Sequence, residues 1–387
     1  MTEVFLCAAR RTPIGRYGGT LAKVRPDDMA ALVIDGLLDL HPGLKVDEVI
    51  LGCANQAGED NRNVARMAVL LSRLGEHVPA LTVNRLCASG LDAVIGGARA
   101  IRDGADVVIA GGVESMTRAP LVMAKAETAY ARSLEVHDTT IGWRFVNGRI
   151  AMAYGIESMG ETAENVAEAN RVARADQDAY ALRSQTRTDA GWHAADILPV
   201  PVQDGAVTVD EHPRATTAER LAGLRPAFRS GGTVTAGNAA GVNDGATAMI
   251  LASAEGVRRH GLTPLARVGR AASGAVAPRV MGIGPLAAVE RLVARGGPHP
   301  GDCDVIEINE AFAAQVLACL RAWNIADDDS RVNARGGGIA LGHPLGMSGA
   351  RIAAAAARRL AEEGGQRALV TLCVGVGQGV ALELLPA

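Results

Sequence analysis

The chain is predicted to be an α/β protein built from two related βα halves separated by an irregular insert. Three features carry that prediction. Apolar runs of strand length alternate with helical periodicity through the first and last thirds. Both of these thirds contain a glycine turn, Ser-Gly, an Ala-rich helix, an apolar strand and a glycine exit, starting from Cys87-Ala88-Ser89-Gly90 and from Met347-Ser348-Gly349. Between them, from about residue 118 to 243, the pattern loosens. Strands alternating with helices argue for a mainly parallel sheet covered on both faces.

The elements follow in order. Val4 to Cys7 reads as a strand, and Met29, Leu32, Val33, Leu37 and Leu40 recur at helical spacing. Strands are expected at Glu48–Cys53 and Ala80–Val83, then an Ala/Gly-rich helix after Cys87, then a strand from Asp106 to Ala110 ending in Gly111-Gly112. One strong helix, Ala175–Ala195, interrupts the insert. In the last third, Asp304–Ile308 reads as a strand and Ala311–Trp323 as a helix. The glycine-rich turn Gly336–Gly349 leads to the helix Ala350–Glu363, which Gly364-Gly365 ends. Ala368–Cys373 is a strand that again runs into glycines. The expected units are residues 1–117, completed by about 244–262, an insert over 118–243, and a second half over 263–387. A long irregular insert in a compact protein is usually a lid or binding loop.

Composition removes several function classes. Of the 387 residues, 48% are hydrophobic and 21% charged, which suits a packed globule and not a disordered chain. Lys plus Arg number 39 against 42 Asp plus Glu, a formal charge of −3, and aromatics are only 3%, so neither a basic surplus nor stacking platforms point to nucleic acid. The start Met1-Thr2-Glu3 does not read as a signal peptide, and no apolar run approaches the roughly 20 residues that span a bilayer. The expectation is a cytoplasmic enzyme without a membrane partner. Six cysteines, at 7, 53, 87, 303, 319 and 373, form no CxxC pair and no Cys/His cluster at zinc spacing, so free thiols and no metal site are expected.

Two glycine clusters fail as nucleotide loops. Gly375-Val-Gly377-Gln-Gly379 has no room for a following helix, and Met281-Gly-Ile-Gly284-Pro lacks the required spacing. Cys87 is more informative, because it lies between a strand and a helix that Ser89 is placed to cap. Oriented N–H groups at a helix start favour a thiolate, although a small buried cysteine is the usual fate of a free thiol. His343 stands in Gly342-His343-Pro344, on a loop with little apolar surface to pack against; a turn histidine without a task remains the competing reading. Cys373 ends a strand, and strand ends in open α/β sheets are where ligands meet the fold. If the halves are related by pseudo-symmetry, these three residues converge on one cleft as nucleophile, base and second thiol.

Taken together, Asn84-Arg-Leu-Cys87-Ala-Ser-Gly90, Gly111-Gly-Val-Glu-Ser115, Asn309-Glu-Ala-Phe312, Gly337-Gly-Ile-Ala-Leu-Gly-His-Pro344 and Cys373-Val-Gly-Val-Gly377 resemble the successive motifs of thiolases. The match runs from Ala9-Arg-Arg-Thr-Pro13 almost to the C-terminus. Gly58-Glu-Asp-Asn-Arg-Asn-Val-Ala-Arg66, Asp138-Thr-Thr-Ile-Gly-Trp-Arg-Phe-Val-Asn147 and Gly346-Met-Ser-Gly349 are similar to the 3-oxoadipyl-CoA (β-ketoadipyl-CoA) thiolases of aromatic catabolism. The resemblance implies a layered α-β-α-β-α sandwich with an inserted loop domain. It also implies CoA-dependent thiolysis of 3-oxoadipyl-CoA to succinyl-CoA and acetyl-CoA, with CoA as co-substrate and no permanently bound cofactor.

By motif, Cys87 would be the acylated nucleophile, His343 its base and Cys373 the thiol that protonates the departing enolate. Asn309 would hold a water that joins His343 at the enolate oxygen, and the Cys87 and Gly375 N–H groups would hold the tetrahedral oxygen. Met159, Arg214, Leu224, Ala227, Phe228, Ala236, Ala240, Ala311 and Phe312 fall where CoA contacts are expected in the family. Two positions depart from its pattern: Ala240 stands where serine is common, and Gly148 where proline often follows the asparagine. Arg144 and Arg62 are candidates for gripping the distal carboxylate of a dicarboxyl substrate, with a structural salt bridge as the competing use of each. Homodimers or homotetramers are expected from the family. The competing functions are a thiolase for acetoacetyl-CoA or broader 3-ketoacyl-CoA, and a thiolase-like protein that binds acyl-CoA or lipid without catalysis. The second would be expected to lack the reactive residues that this chain retains.

Overall fold

The computed structural model describes residues 2–55 and 58–387. In the first half, β1 (Val4–Arg11), α1 (Pro26–Leu40), β2 (Glu48–Gly52), α2 (Val64–Leu71), β3 (Ala80–Val83), α3 (Ser89–Arg102) and β4 (Val107–Ser115) follow the predicted alternation. The insert contributes α4 (Met159–Ala169) and α5 (Arg174–Arg187), after which β5 (Asn243–Ser253) returns to the first half. The second half contains β6 (Ala266–Ala275), α6 (Gly284–Ala294), β7 (Val305–Ile308), α7 (Ala313–Ala322), α8 (Leu345–Glu363), β8 (Ala368–Val374) and β9 (Gln378–Leu385).

The strand order is β7-β8-β9-β6-β1-β5-β4-β2-β3, with Gly15–Arg16 as a tenth, two-residue strand on β5. The sheet is mixed and not mainly parallel as expected. Parallel pairs are confined to its flanks, where β2 meets β3 and β4, and β7 meets β8. The long central strands run antiparallel: β5 lies between β1 and β4, and β9 between β6 and β8. Residues from far apart in the chain fill these central places, so the local βα pattern cannot announce them. The halves join where Phe5 and Leu6 of β1 pair with Arg267 and Ala266 of β6.

Alternation along the strands separates three apolar layers. Val49, Leu51, Val107, Ile109 and Ile250 face α1 and α2. Their neighbours Ile50, Val108, Met249 and Leu251 face a central layer that also takes Val370, Leu372, Val380 and Leu382 from the second half. Leu369, Ala381 and Ile306 turn the other way, toward α6 and α7. Both faces of each half are thus covered, and α3 and α8 lie buried between the halves.

Those two helices touch through backbone. A Cβ at Gly90 would lie 2.4 Å from the Gly346 oxygen, and one at Gly349 would lie 2.5 Å from the Leu91 nitrogen. This explains why α8 starts at Leu345 and not at Ala350: Gly346 and Gly349 serve close helix approach, not the turn. Similarly, β4 continues through Gly111 and Gly112, because a Cβ at 112 would lie 2.0 Å from the Gly346 oxygen.

The expected helix Ala175–Ala195 is broken in two. Thr188 Oγ1 bonds the Ser184 carbonyl at 3.0 Å, and the Asp189 side chain caps a new short helix, Ala190–Ala194, through the Trp192 N–H. At Asn147-Gly148-Arg149, Asn147 caps the helix Gly148–Tyr154 by accepting the Arg149 N–H at 2.9 Å. Among the described residues, no helix is long and apolar enough to cross a membrane.

Candidate active site

Cys87 occupies a 3₁₀ turn, Leu86–Ala88, that feeds directly into α3. Asn84 shapes the turn: its Oδ1 accepts the Leu86 N–H at 2.8 Å, and its Nδ2 donates to the Ala54 carbonyl at 2.8 Å. Leu86 is left-handed, with φ of +47°. Ser89 does not cap the helix as expected, since it is already the first helical residue. Its Oγ accepts the Arg85 N–H at 2.9 Å and donates to the Leu86 carbonyl at 2.6 Å, closing the turn.

The expected thiolate is also corrected. Burial pushes the Cys87 thiol up to about 11, and hydrogen bonds from the Gly375 and Cys87 N–H groups only partly oppose this. Resting Cys87 is therefore a thiol that needs a base. Gly375 comes to Cys87 from the turn between β8 and β9, where Val376 and Gly377 are both left-handed, with φ of +63° and +81°. Cys373 lies beside Cys87 at the end of β8, buried, and its thiol is held well above the ordinary range by burial and by its neighbour.

His343 is positioned from three sides. Its backbone N–H donates to Asn243 Oδ1 at 2.9 Å, and Asn243 Nδ2 donates to the Gly15 carbonyl at 2.9 Å. Its Nδ1 lies 2.6 Å from Ser348 Oγ, which donates its only proton to the Pro344 carbonyl at 2.8 Å. Ser348 therefore accepts from Nδ1–H, so Nε2 carries the lone pair that can act as a base. Asn309 Nδ2 reaches that Nε2 at 3.3 Å, while Asn309 Oδ1 is buried without a partner and fits a water donor. Burial and the nearby Arg351 guanidinium bring His343 down to about 4, so the imidazole is neutral at pH 7.

Two buried carboxylates hold these loops. Glu114 accepts the N–H groups of Ala54, Asn55 and Gly346 at 2.9, 3.1 and 2.8 Å, tying the Cys53–Asn55 loop to the start of α8. Glu310 accepts from Tyr180, Ser184, Asn333 and the Ile339 N–H, joining α5 to the loop before His343. Sequence reasoning quoted both inside motifs without giving them a task, and it gave none to Ser348 or Asn243. A carboxylate inside an otherwise apolar or glycine-rich motif is the signal that was available.

A cavity of about 180 Å³ opens at Cys87, lined also by Gly375, Met159, Thr139, Glu114 and Arg144. Arg144 makes no ion pair or hydrogen bond among the described residues, so its guanidinium is free to meet a ligand. Arg62 is not brought there: it is exposed, in a left-handed turn whose N–H bonds Asp60.

Of the expected CoA residues, Met159 lines the Cys87 cavity, whereas Arg214 lines a second cavity with Gln185 and Pro213. Met159, Ala311, Phe312 and Cys373 share an apolar cluster. Phe228 meets Phe312 edge-on at 6.4 Å and packs on Gly160, where a Cβ would collide with its ring. Ala240 N–H bonds the Ala311 carbonyl at 2.9 Å, Ala227 N–H the Val234 carbonyl at 2.9 Å, and Arg214 Nη2 the Ala236 carbonyl at 2.9 Å. Leu224 fills the space over Gly237. No group of metal-binding side chains occurs among the described residues.

Two family models match: the thiolase N-terminal domain over residues 4–255 and the thiolase C-terminal domain over 262–385. The chain is 58% identical to the β-ketoadipyl-CoA thiolase of Pseudomonas aeruginosa, over 99% of this chain and 98% of that protein. It is 55% identical to the 3-oxoadipyl-CoA/3-oxo-5,6-dehydrosuberyl-CoA thiolase of Escherichia coli K12, over 99% of each. A solved structure of human mitochondrial 3-ketoacyl-CoA thiolase in complex with CoA superposes with a TM-score of 0.91 at 38% identity, covering 100% of this chain and 98% of that one. Motifs, fold and comparisons agree: the chain belongs to the thiolase family.

Proposed function

We propose that this protein catalyses thiolysis of 3-oxoadipyl-CoA by CoA, giving succinyl-CoA and acetyl-CoA. Cys87 passes its proton to His343 Nε2 as its sulfur attacks the 3-keto carbon. The resulting alkoxide is held by the Cys87 and Gly375 N–H groups, donors of a kind worth ~3 kcal/mol each. Collapse breaks the C2–C3 bond, leaves succinyl on Cys87 and expels acetyl-CoA as an enolate. Protonated His343 and a water held by Asn309 stabilise the enolate oxygen, and Cys373 supplies the proton to carbon. Cys373 then takes the proton of CoA, whose sulfur attacks the succinyl thioester. Cys87 leaves and recovers its proton from His343. Two half-reactions through one acyl-enzyme predict ping-pong kinetics.

The observation that carries the substrate is Arg144, which lines the Cys87 cavity and has no ion pair or hydrogen bond among the described residues, so its guanidinium suits the far carboxylate of a succinyl chain. The high identity to relatives named for β-ketoadipyl-CoA supports the same reading. We assign Met159, Arg214, Leu224, Ala227, Phe228, Ala236, Ala240, Ala311 and Phe312 to CoA, all but the last two within the loop segment 118–243. We also propose a cytoplasmic enzyme and a homodimer or homotetramer. Exposed Leu121, Met123, Leu134, Val136 and Met152 on the insert support self-association.

The test is kcat/KM for 3-oxoadipyl-CoA beside acetoacetyl-CoA, in wild type and Arg144→Ala. Wild type should prefer 3-oxoadipyl-CoA by about tenfold or more, ~1.4 kcal/mol of transition-state binding. Arg144→Ala should raise KM for that substrate alone. Comparable wild-type rates, or equal losses on both substrates, would overturn the substrate while leaving the chemistry.

A further inference from the structure

The two oxyanion donors come from turns far apart in the chain, and their separation has to be fixed. The Cys87 N–H belongs to the 3₁₀ turn before α3, in the first half, and the Gly375 N–H to the turn between β8 and β9, in the second. Each turn contains a left-handed residue other than glycine, Leu86 and Val376, a conformation that persists only where the surroundings over-determine it. The turns also touch: a Cβ at Gly375 would lie 3.2 Å from Leu86 Cδ1.

The Gly375 N–H reaches the Cys87 sulfur directly, and one hydrogen bond between two side chains also links the turns among the described residues. Arg85 Nη1 donates to Gln378 Oε1 at 3.0 Å. Arg85 immediately precedes Leu86, and Gln378 is the first residue of β9, where it pairs with Val374. The other edge of the same guanidinium is ion-paired with Asp92, in the first turn of α3. The planar fork of arginine suits this double duty, since fixing one edge on the helix aims the other. Asp92 orients Arg85, and Arg85 ties the oxyanion turn to the nucleophile turn.

We infer that Arg85 is a positioning residue for thiolysis: through Gln378 it sets the spacing between the Cys87 and Gly375 N–H groups that hold the tetrahedral oxygen. The inference rests on the proposed acyl-Cys87 mechanism. It concerns the rate of acyl transfer and not substrate affinity, because neither Arg85 nor Gln378 lines the Cys87 cavity.

The test is a double-mutant cycle in the full-length protein with Arg85→Ala, Gln378→Met and both changes, assayed with acetoacetyl-CoA and with 3-oxoadipyl-CoA. Each single change should lower kcat by about tenfold to hundredfold on both substrates, as expected for a small misplacement of catalytic groups, with KM within about twofold. The double variant should be no slower than the slower single one, because the same link is removed in each case. Multiplying losses, or a change of less than about twofold in either single variant, would overturn the inference. Thermal midpoints within a few degrees of wild type separate this outcome from general destabilisation. If Arg85→Ala fails to fold, Gln378→Met alone carries the test through its kcat and KM. Failure of the underlying mechanism shows separately, as a wild-type enzyme that forms no acyl adduct on Cys87.

Discussion

The two halves begin their central helices alike, yet they hold their reactive side chains in opposite ways. Cys87 precedes α3 and His343 precedes α8, and the glycine contacts between those helices bring the two loops together. Among the described residues, the Cys87 sulfur is held by the Gly375 and Cys87 backbone N–H groups, and it faces a cavity. His343 is clamped through its backbone by Asn243 and through its ring by Ser348 and Asn309. A nucleophile must carry and release an acyl group, so it needs space. A base must present one lone pair in one direction, so it needs a fixed tautomer. A duplicated architecture can thus give one half freedom and the other constraint.

The contrast is broken most severely by removing the base. His343→Gln should lower kcat by ~10³-fold, the usual scale for a general base, with Cys87 still present as a thiol. The same variant sharpens the contrast in pH. His343 is held at about 4 in the fold, below the ~6.5 of an unfolded histidine, so the unfolded chain takes up more protons between these values. The stability from keeping His343 neutral is present above about pH 6.5 and is lost as pH falls toward 4, up to ~3 kcal/mol. Buried His193 and His212, also at about 4, add to the same acid loss. Thermal or urea unfolding between pH 7 and 4 should therefore show a shallower acid loss in His343→Gln than in wild type; parallel curves would contradict the burial argument.

Ser348→Ala is a milder test. It removes the acceptor for Nδ1–H without touching the Nε2 lone pair, so kcat should fall by about tenfold while KM holds, on the scale of one lost hydrogen bond at a buried site. Smaller still is Ala240→Ser on the CoA side. A restored hydroxyl should lower KM for CoA by a few-fold, ~1 kcal/mol, and leave kcat alone. An unchanged KM would show that nothing at position 240 contacts CoA.

Much of this was legible in the sequence where the signal is local. The βα alternation and the helices after Cys87 and before Gly364 follow from periodicity and motif, while the convergence of Cys87 and Cys373 is expected on the condition that the halves are related by pseudo-symmetry. What was hidden depends on partners distant in the chain. Residues 244–262 are expected to complete the first half, but the central place of β5 between β1 and β4 depends on pairing with distant strands. Gly346 and Gly349 look like turn glycines until α3 packs on them. Ser348 sits inside a helix five residues past His343, where only folding reveals that it fixes a tautomer. Arg62 and Arg144 were equivalent as candidates, and only the cavity tells them apart. The Cys87 thiolate expectation failed for a related reason, since a helix start stabilises charge locally while burial by residues from elsewhere opposes it.

The central claim is that Cys87 carries the acyl group while His343 and Cys373 only move protons. Intact-mass analysis after mixing enzyme with 3-oxoadipyl-CoA in the absence of free CoA tests it most directly. The account predicts one succinyl adduct, mapped to Cys87, absent from Cys87→Ser and discharged on adding CoA. An adduct that survives Cys87→Ser, or one that maps to Cys373, would contradict it.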